Sequence, residues 1–151
     1  MRALIQRVRR TSVSIDGRLH SSIGKGMLVF LGVRQNDIEA DAVFVAEKCA
    51  SLRIFDDTEG KMNLSVRDVN GEVMVVSQFT LYGDTRRGNR PSYSDAAPPE
   101  VAESLYEKFL TELRRLVGNE SVRSGVFRAM MDVELLNDGP VTVMVESKGV
   151  S

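Results

Sequence analysis

The segment VVSQFTLYGD, Val75 to Asp84, runs an apolar strand into Ser77, Gln78 and Thr80, set around Phe79. Two hydroxyls and a carboxamide at a strand end, beside a glycine-containing loop, can point donors into a cleft. They can equally terminate the strand by bonding the local backbone. Alternation along a strand places Gln78 and Thr80 on one face and Ser77 and Phe79 on the other, unless a bulge re-aims them. The loop that follows, DTRRGNRP, carries Arg86, Arg87 and Arg90. Guanidinium groups grip phosphate oxygens bidentately, so three of them beside a pocket suit phosphate; the plainer reading is a solvated loop.

A second stretch with chemical character is NDGPVT, Asn137 to Thr142. Asp138-Gly139 alone signals a hairpin, but Pro140 removes a backbone donor and restricts the glycine before it. The tip therefore favours bare carbonyls. A cis bond before Pro140 would aim both neighbouring carbonyls the same way, whereas an edge-strand proline at a turn is the simpler alternative. Gly24-Lys25-Gly26 lacks P-loop spacing and reads as a turn.

What the chain lacks narrows the chemistry further. It has one histidine, His20, and one cysteine, Cys49, among 151 residues. A zinc site of the usual Cys/His kind and an internal disulfide are both excluded. A Ser-His-Asp triad could use only His20, which sits in the polar hairpin arm GRLHSSIGKG. The net charge of −1 argues against a protein that coats nucleic acid non-specifically, though local basic patches remain compatible with it. MRALIQRV lacks the apolar core of a signal peptide, and no apolar run approaches the roughly 20 residues of a membrane span. The expected location is the cytoplasm, with no membrane partner.

The elements that must position these residues are legible in outline. With 42% apolar and 27% charged residues, the chain reads as one folded domain over residues 1–151, with no repeat, linker or low-complexity tract. ALIQRV, the alternating SVSIDG and the continuous apolar run GMLVFLGV read as strands, joined in part by an Asp16-Gly17 turn. A helix follows, with Asn36 as cap and Glu39 completing a capping box. Its apolar face is Ala42, Val45, Ala46, Cys49 and Leu52. After RIFDD, the segment KMNLSVRDV reads as the partner of EVMVVSQFTLY in a hairpin turned by Asn70-Gly71. Pro98 and Pro99 open a second helix that buries Val101, Leu105, Phe109, Leu113 and Leu116 and ends at Gly118. The remainder, VFRAMMDVELLNDGPVTVMVE, reads as two more strands.

Taken in order, ALIQRV, GMLVFLGV, RIFDDTEGKMNLSV, VVSQFTLYGDTRRGNRPSY and NDGPVTVMVE closely resemble the D-aminoacyl-tRNA deacylase family, also called D-tyrosyl-tRNA deacylase. The resemblance runs from Met1 to about Glu146, and SQFT followed by NDGPVT is its most specific part. It implies an α/β (α+β) single domain, a curved, mainly antiparallel and barrel-like sheet with helices packed outside, assembled as a homodimer. It implies a site at the dimer interface, lined by Ser77, Gln78, Phe79 and Thr80 of one subunit and reached by a Gly-cis-Pro element, Gly139-Pro140, of the other. Arg7 would fix the Gly-Pro carbonyls and Phe127 would pack against the terminal adenine. A small residue usually follows that phenylalanine in the family, whereas this chain has Arg128.

The implied reaction is hydrolysis of the ester between a D-amino acid and the terminal ribose of tRNA, with mischarged glycyl-tRNA as a second substrate. Backbone amides near Phe79 and Thr80 would stabilise the oxyanion. Thr80 as nucleophile lacks a base to take its proton, so a ribose hydroxyl is the expected source of help. The implied partners are the acceptor end of aminoacyl-tRNA, held by Arg86, Arg87 and Arg90, and a second copy of the chain. No metal, organic cofactor or DNA is expected. Two rival readings are a non-catalytic RNA-binding dimer that uses the arginine loop, and a serine hydrolase pairing Ser77 with His20.

Overall fold

Strand β1 (Arg2–Ile15) sets the register of nearly everything else. In the computed structural model, which describes residues 1–147, Asp16 and Gly17 take positive φ and turn β1 into β2 (Arg18–Ile23). β2 pairs antiparallel with the second half of β1, and β3 (Gly26–Gly32) pairs antiparallel with its first half. β6 (Glu72–Ser77) lies parallel to β3, and β7 (Val122–Ser124) lies parallel to β6. A side chain on Gly26 would come 1.7 Å from the Glu72 carbonyl oxygen, so the approach of β6 requires glycine there. β8 (Asp132–Glu146) runs antiparallel along the other edge of β1.

The resulting six-stranded sheet is mixed: β1 pairs antiparallel with β2, β3 and β8, while β3, β6 and β7 run parallel to one another. The reason lies in the side chains of β3 and β6. Val73 to Val76 are all buried, as are most of Gly26–Gly32, and strands apolar on both faces belong inside a parallel sheet covered on both sides. The hairpin expected at Asn70-Gly71 does not form. β4 (Phe55–Asp56) and β5 (Met62–Leu64) pair with each other in a separate two-stranded ribbon, and Asn70-Gly71 only turns the chain into β6.

Helix α1 (Glu39–Ser51) begins at Ile38, not at Asn36, which sits at φ 70°. The Asp41 carboxylate accepts the Ile38 N–H at 2.8 Å and so does the work assigned to Glu39. Ala42, Val45, Ala46 and Cys49 are buried as their spacing requires, and burial pushes the Cys49 thiol up to about 12. Helix α2 (Pro99–Val117) is opened by Pro98 and closed by Gly118. It buries Leu105, Tyr106, Phe109, Leu110 and Leu113, while Val101, expected on that face, stays exposed. Complete burial of a side chain such as Phe109 stabilises by roughly 1.5–3 kcal/mol.

Both helices pack with Ala3, Ile5, Met27, Val29, Val73 and Val75 into one core on one face of the sheet. On the other face Val8, Val13, Ile23, Leu28, Met74 and Val76 form a second core inside the curl of the strands. The chain is thus a single α+β domain with a curled, barrel-like mixed sheet and two helices. No helix among the described residues is long and apolar enough to cross a membrane.

Candidate active site

β6 ends at Ser77, whose partner on β3 is Leu31. Gln78 N–H still donates to the Leu31 carbonyl at 2.8 Å, after which Phe79–Tyr82 wind into a single 3-10 turn. The strand alternation expected through Thr80 therefore stops. Gln78 and Thr80 nevertheless share a side, because the Gln78 carboxamide donates to the Thr80 hydroxyl. The N–H groups of Phe79 and Thr80 open the turn and have no acceptor among the described residues. Phe79 is 57% exposed and meets Tyr93 edge-on at 5.1 Å.

A clamp that the sequence did not announce holds this turn. Arg2, at the start of β1, donates to the Leu81 carbonyl at 3.0 Å, pairs with Glu146 at 2.5 Å and lies 4.6 Å over the Tyr82 ring. Burial, reinforced by Asp37, pushes the Tyr82 hydroxyl well above its usual range. Arg2 and Glu146 lie at opposite ends of the chain and meet only because β1 and β8 pair, so no local motif marks them.

NDGPVT is not the tip of a hairpin. Both halves of β8 pair with the same edge of β1: Gln6 faces Thr142, Val8 faces Asn137, and residues 138–141 leave the ladder opposite Arg7. This is a four-residue excursion within one strand. The Arg7 side chain is buried beneath it, donating through Nε to the Asp138 carbonyl at 3.1 Å and through Nη1 to the Ile54 carbonyl at 2.7 Å. The Asp138 carboxylate lies 3.5 Å from both Arg7 Nε and Arg9 Nε. Gly139 and Pro140 are exposed, with Gly139 at φ 118°.

The cis Gly139–Pro140 bond implied by the resemblance is not present, since every described peptide is trans. An extended trans path is compatible with proline where no N–H is required of it, and here the residue has left the ladder. The side chain of Arg7 holds the excursion from beneath.

Within one chain the structure gathers only part of the predicted site. Phe127 follows β7, beside Val75 of β6, and its ring lies 5.8 Å from that of Tyr106. It is half-buried against the helix-side core, with Arg128 exposed at φ 68° in the following turn. Ser77, Gln78, Phe79, Thr80 and Phe127 thus share the β6 end of the sheet. Gly139, Pro140 and Arg7 do not. Arg7 is level with Met27 and Val73, whereas Ser77 is four residues further along β6 and three strand spacings from β8. At ordinary strand rise and spacing these offsets amount to roughly 13 Å and 14 Å along the curved sheet.

The arginine loop is divided. Asp84 accepts from Arg86 Nε at 2.9 Å and Nη2 at 2.8 Å, and these bonds lower its carboxyl to about 2. Arg86 is therefore occupied, while Arg87 and Arg90 are exposed. The Ser77–His20 pair is ruled out by register. His20 lies in β2 level with Val13 and Ser14, and Ser77 lies level with Ala3. Ten residues of β1 separate those levels, roughly 33 Å along the strand. A groove of about 490 Å³ at the entries of α1 and α2, lined by Asp37, Ile38, Glu39, Glu100 and Leu105, contains none of the predicted residues.

The same arrangement of strands and helices occurs in a probable eukaryotic D-amino acid tRNA deacylase, with a TM-score of 0.80 over 96% of this chain and 98% of the other, at 17% identity. That likeness defines the fold. A structure described as a c-Myc DNA unwinding element binding protein superposes with a TM-score of 0.94 at 41% identity, covering 99% of this chain and all of that one. Residues 4–146 match the D-Tyr-tRNA(Tyr) deacylase family. The chain is 54% identical to the D-aminoacyl-tRNA deacylase of Carboxydothermus hydrogenoformans over 97% of its length and 99% of the relative's. Against that of Roseiflexus castenholzii it is 58% identical, over 97% and 92% of the two chains. The chain belongs to the D-Tyr-tRNA(Tyr) deacylase family.

Proposed function

We propose that this chain hydrolyses the ester joining a D-amino acid to the terminal ribose of tRNA, as a homodimer in which each site draws on both subunits. D-aminoacyl-tRNA deacylation, a proofreading hydrolysis, is the activity its family membership gives it. The observation that carries the assignment is identity above one half, end to end, with D-aminoacyl-tRNA deacylases. We place the activity in the cytoplasm, with the acceptor end of tRNA as partner.

The two-subunit site is supported by the register of β8. The Gly139-Pro140 excursion and the Ser77–Thr80 turn lie at different levels and three strands apart in the sheet, which fits a site completed by a second copy. In the joined site the free Phe79 and Thr80 amides face the scissile carbonyl and take up its developing negative charge. One such donor is worth roughly 2.7–4 kcal/mol. An aminoacyl ester is already activated, so positioning does most of the remaining work. The Thr80 hydroxyl accepts from Gln78 and no histidine lies near it, so the neighbouring ribose hydroxyl orients the attacking water instead.

Chirality is read by main chain. A side-chain pocket gains only about 1–3 kcal/mol per methylene, too little to spare abundant L-aminoacyl-tRNAs. Carbonyls around Gly139-Pro140, pinned by Arg7, hold the substrate ammonium and fill the space an L side chain would need. Phe127 packs against the terminal adenine, and Arg87 and Arg90 hold backbone phosphates. The alternative is an RNA-binding dimer without catalysis, or a DNA binder as the name of one structural neighbour suggests. Incubation with D-tyrosyl-, L-tyrosyl- and glycyl-tRNA separates these: D-tyrosyl and glycyl esters should be cleaved and the L-tyrosyl ester spared. Binding without ester loss would favour the alternatives.

A further inference from the structure

Where β8 departs from the ladder, Arg7 has no residue opposite it on that strand. Its main-chain oxygen is met instead by a side chain: Asn137 Nδ2 donates to Arg7 O at 2.9 Å and to Val141 O at 3.2 Å. Asn137 is the last residue paired before the excursion, and Val141 is the last residue within it. One carboxamide, with its two protons, thus closes the base of the loop and gives the Arg7 carbonyl a donor where β8 supplies none.

We propose that Asn137 is a positioning residue that sets the chiral discrimination of the site by holding the Gly139-Pro140 main chain rigid. The geometry leaves little choice of residue. Serine has one proton to give, alanine none, and aspartate would set a carboxylate against two carbonyl oxygens. Arg7 fixes the excursion from below through the Asp138 carbonyl, and Asn137 fixes its width. With the width free, the carbonyls that exclude an L side chain could retreat, while the Phe79 and Thr80 amides of the other subunit would be untouched. This inference rests on the reading that exclusion by main chain distinguishes the enantiomers.

The test measures kcat/KM for D-tyrosyl- and L-tyrosyl-tRNA, with the thermal midpoint, in Asn137→Ala and in the isosteric Asn137→Asp. The D/L ratio should fall about tenfold in Asn137→Ala, the equivalent of one lost hydrogen bond, through a rise in L cleavage. It should fall at least as far in Asn137→Asp, although that side chain has the same shape. If both rates drop together with the ratio intact, or Asn137→Asp behaves as the unsubstituted protein, Asn137 is merely structural and the proposal fails. Should the alanine variant not fold, Asn137→Ser carries the same ratio measurement. Loss of discrimination in the unsubstituted protein would overturn the underlying reading instead, and the two failures are distinguishable.

Discussion

The guanidinium of Arg7 occupies the space that a side chain on Gly139 would need. A Cβ built on Gly139 would approach Arg7 Nη2 to 2.4 Å, and the residue's φ of 118° is one that L side chains rarely adopt. The excursion and the buried arginine beneath it are therefore a matched pair, each restricting the other.

Gly139→Ala should consequently damage both partners. The positive φ alone costs roughly 1–3 kcal/mol for a residue with a Cβ. Relief of the contact by moving Arg7 would strain its bonds to Asp138 and Ile54. Denaturant unfolding should show a loss of about that size, and cleavage of D-tyrosyl-tRNA should fall by about tenfold or more. A variant as stable and as active as the parent would show that the excursion is freer than its contacts imply.

Thr80→Ala should retain substantial activity, because the hydroxyl accepts from Gln78 and has no base beside it. A tRNA substrate lacking the 2′-hydroxyl should be cleaved poorly by the unsubstituted protein. Single-turnover rates on both substrates check the pair of expectations. A Thr80→Ala variant reduced to the uncatalysed rate, together with normal cleavage of the deoxy substrate, would return Thr80 to the role of nucleophile.

What the sequence disclosed and what it hid follow one physical rule. Periodic apolar faces such as Ala42-Val45-Ala46-Cys49, and punctuation such as Asp16-Gly17, Pro98-Pro99 and Gly118, are local and were legible. The apolar character of β6 was visible too, but its neighbours were not, since a parallel partner lies far off in sequence. The same holds for NDGPVT. Its glycine and proline marked an interruption, yet only the pairing of both flanks with β1 reveals an excursion within one strand and not a hairpin. Of the proposed site, the polar SQFT segment stood out by its residue types at a strand end, while Arg7 entered only through the family resemblance. Arg2, Glu146 and Asn137 escaped notice because their partners lie 79 or more residues away or on the main chain.

The arginine loop should act through two guanidiniums, not three. Asp84 holds Arg86, and its carboxyl, lowered from the ordinary 3.8 to about 2, gives up that pairing only as pH falls through the lower value. A depressed acid of this kind contributes fully above its unfolded value, so the pairing is constant across neutral pH. Arg87→Ala and Arg90→Ala should each lower the salt dependence of tRNA binding by about one unit of log-log slope, and Arg86→Ala by less. Asp84→Asn should release Arg86 and steepen it. Equal effects from all three arginine substitutions in a filter-binding titration would mean that Asp84 surrenders its partner to phosphate.

Because β8 places Gly139 and Ser77 at different levels of the sheet, the proposed two-subunit site makes a strict prediction about mixed dimers. A chain damaged only at the excursion, Gly139→Ala, still offers an intact Ser77–Thr80 turn. A chain damaged only at the turn, such as Gln78→Ala, still offers an intact excursion. Under two-fold symmetry each homodimer has two spoiled sites, whereas a mixed dimer has one site with both defects and one with neither. Random pairing makes half the dimers mixed, so co-expression should restore about a quarter of the parent activity. The readout is kcat on D-tyrosyl-tRNA, about a quarter of the parent value for the mixture and about half for heterodimers purified through different affinity tags. Recovery establishes that the excursion acts across the axis. If both homodimers are impaired and the mixture does no better than their average, each subunit carries its whole site, and the sheet must curl far enough to bring its own Gly139 to its own Ser77.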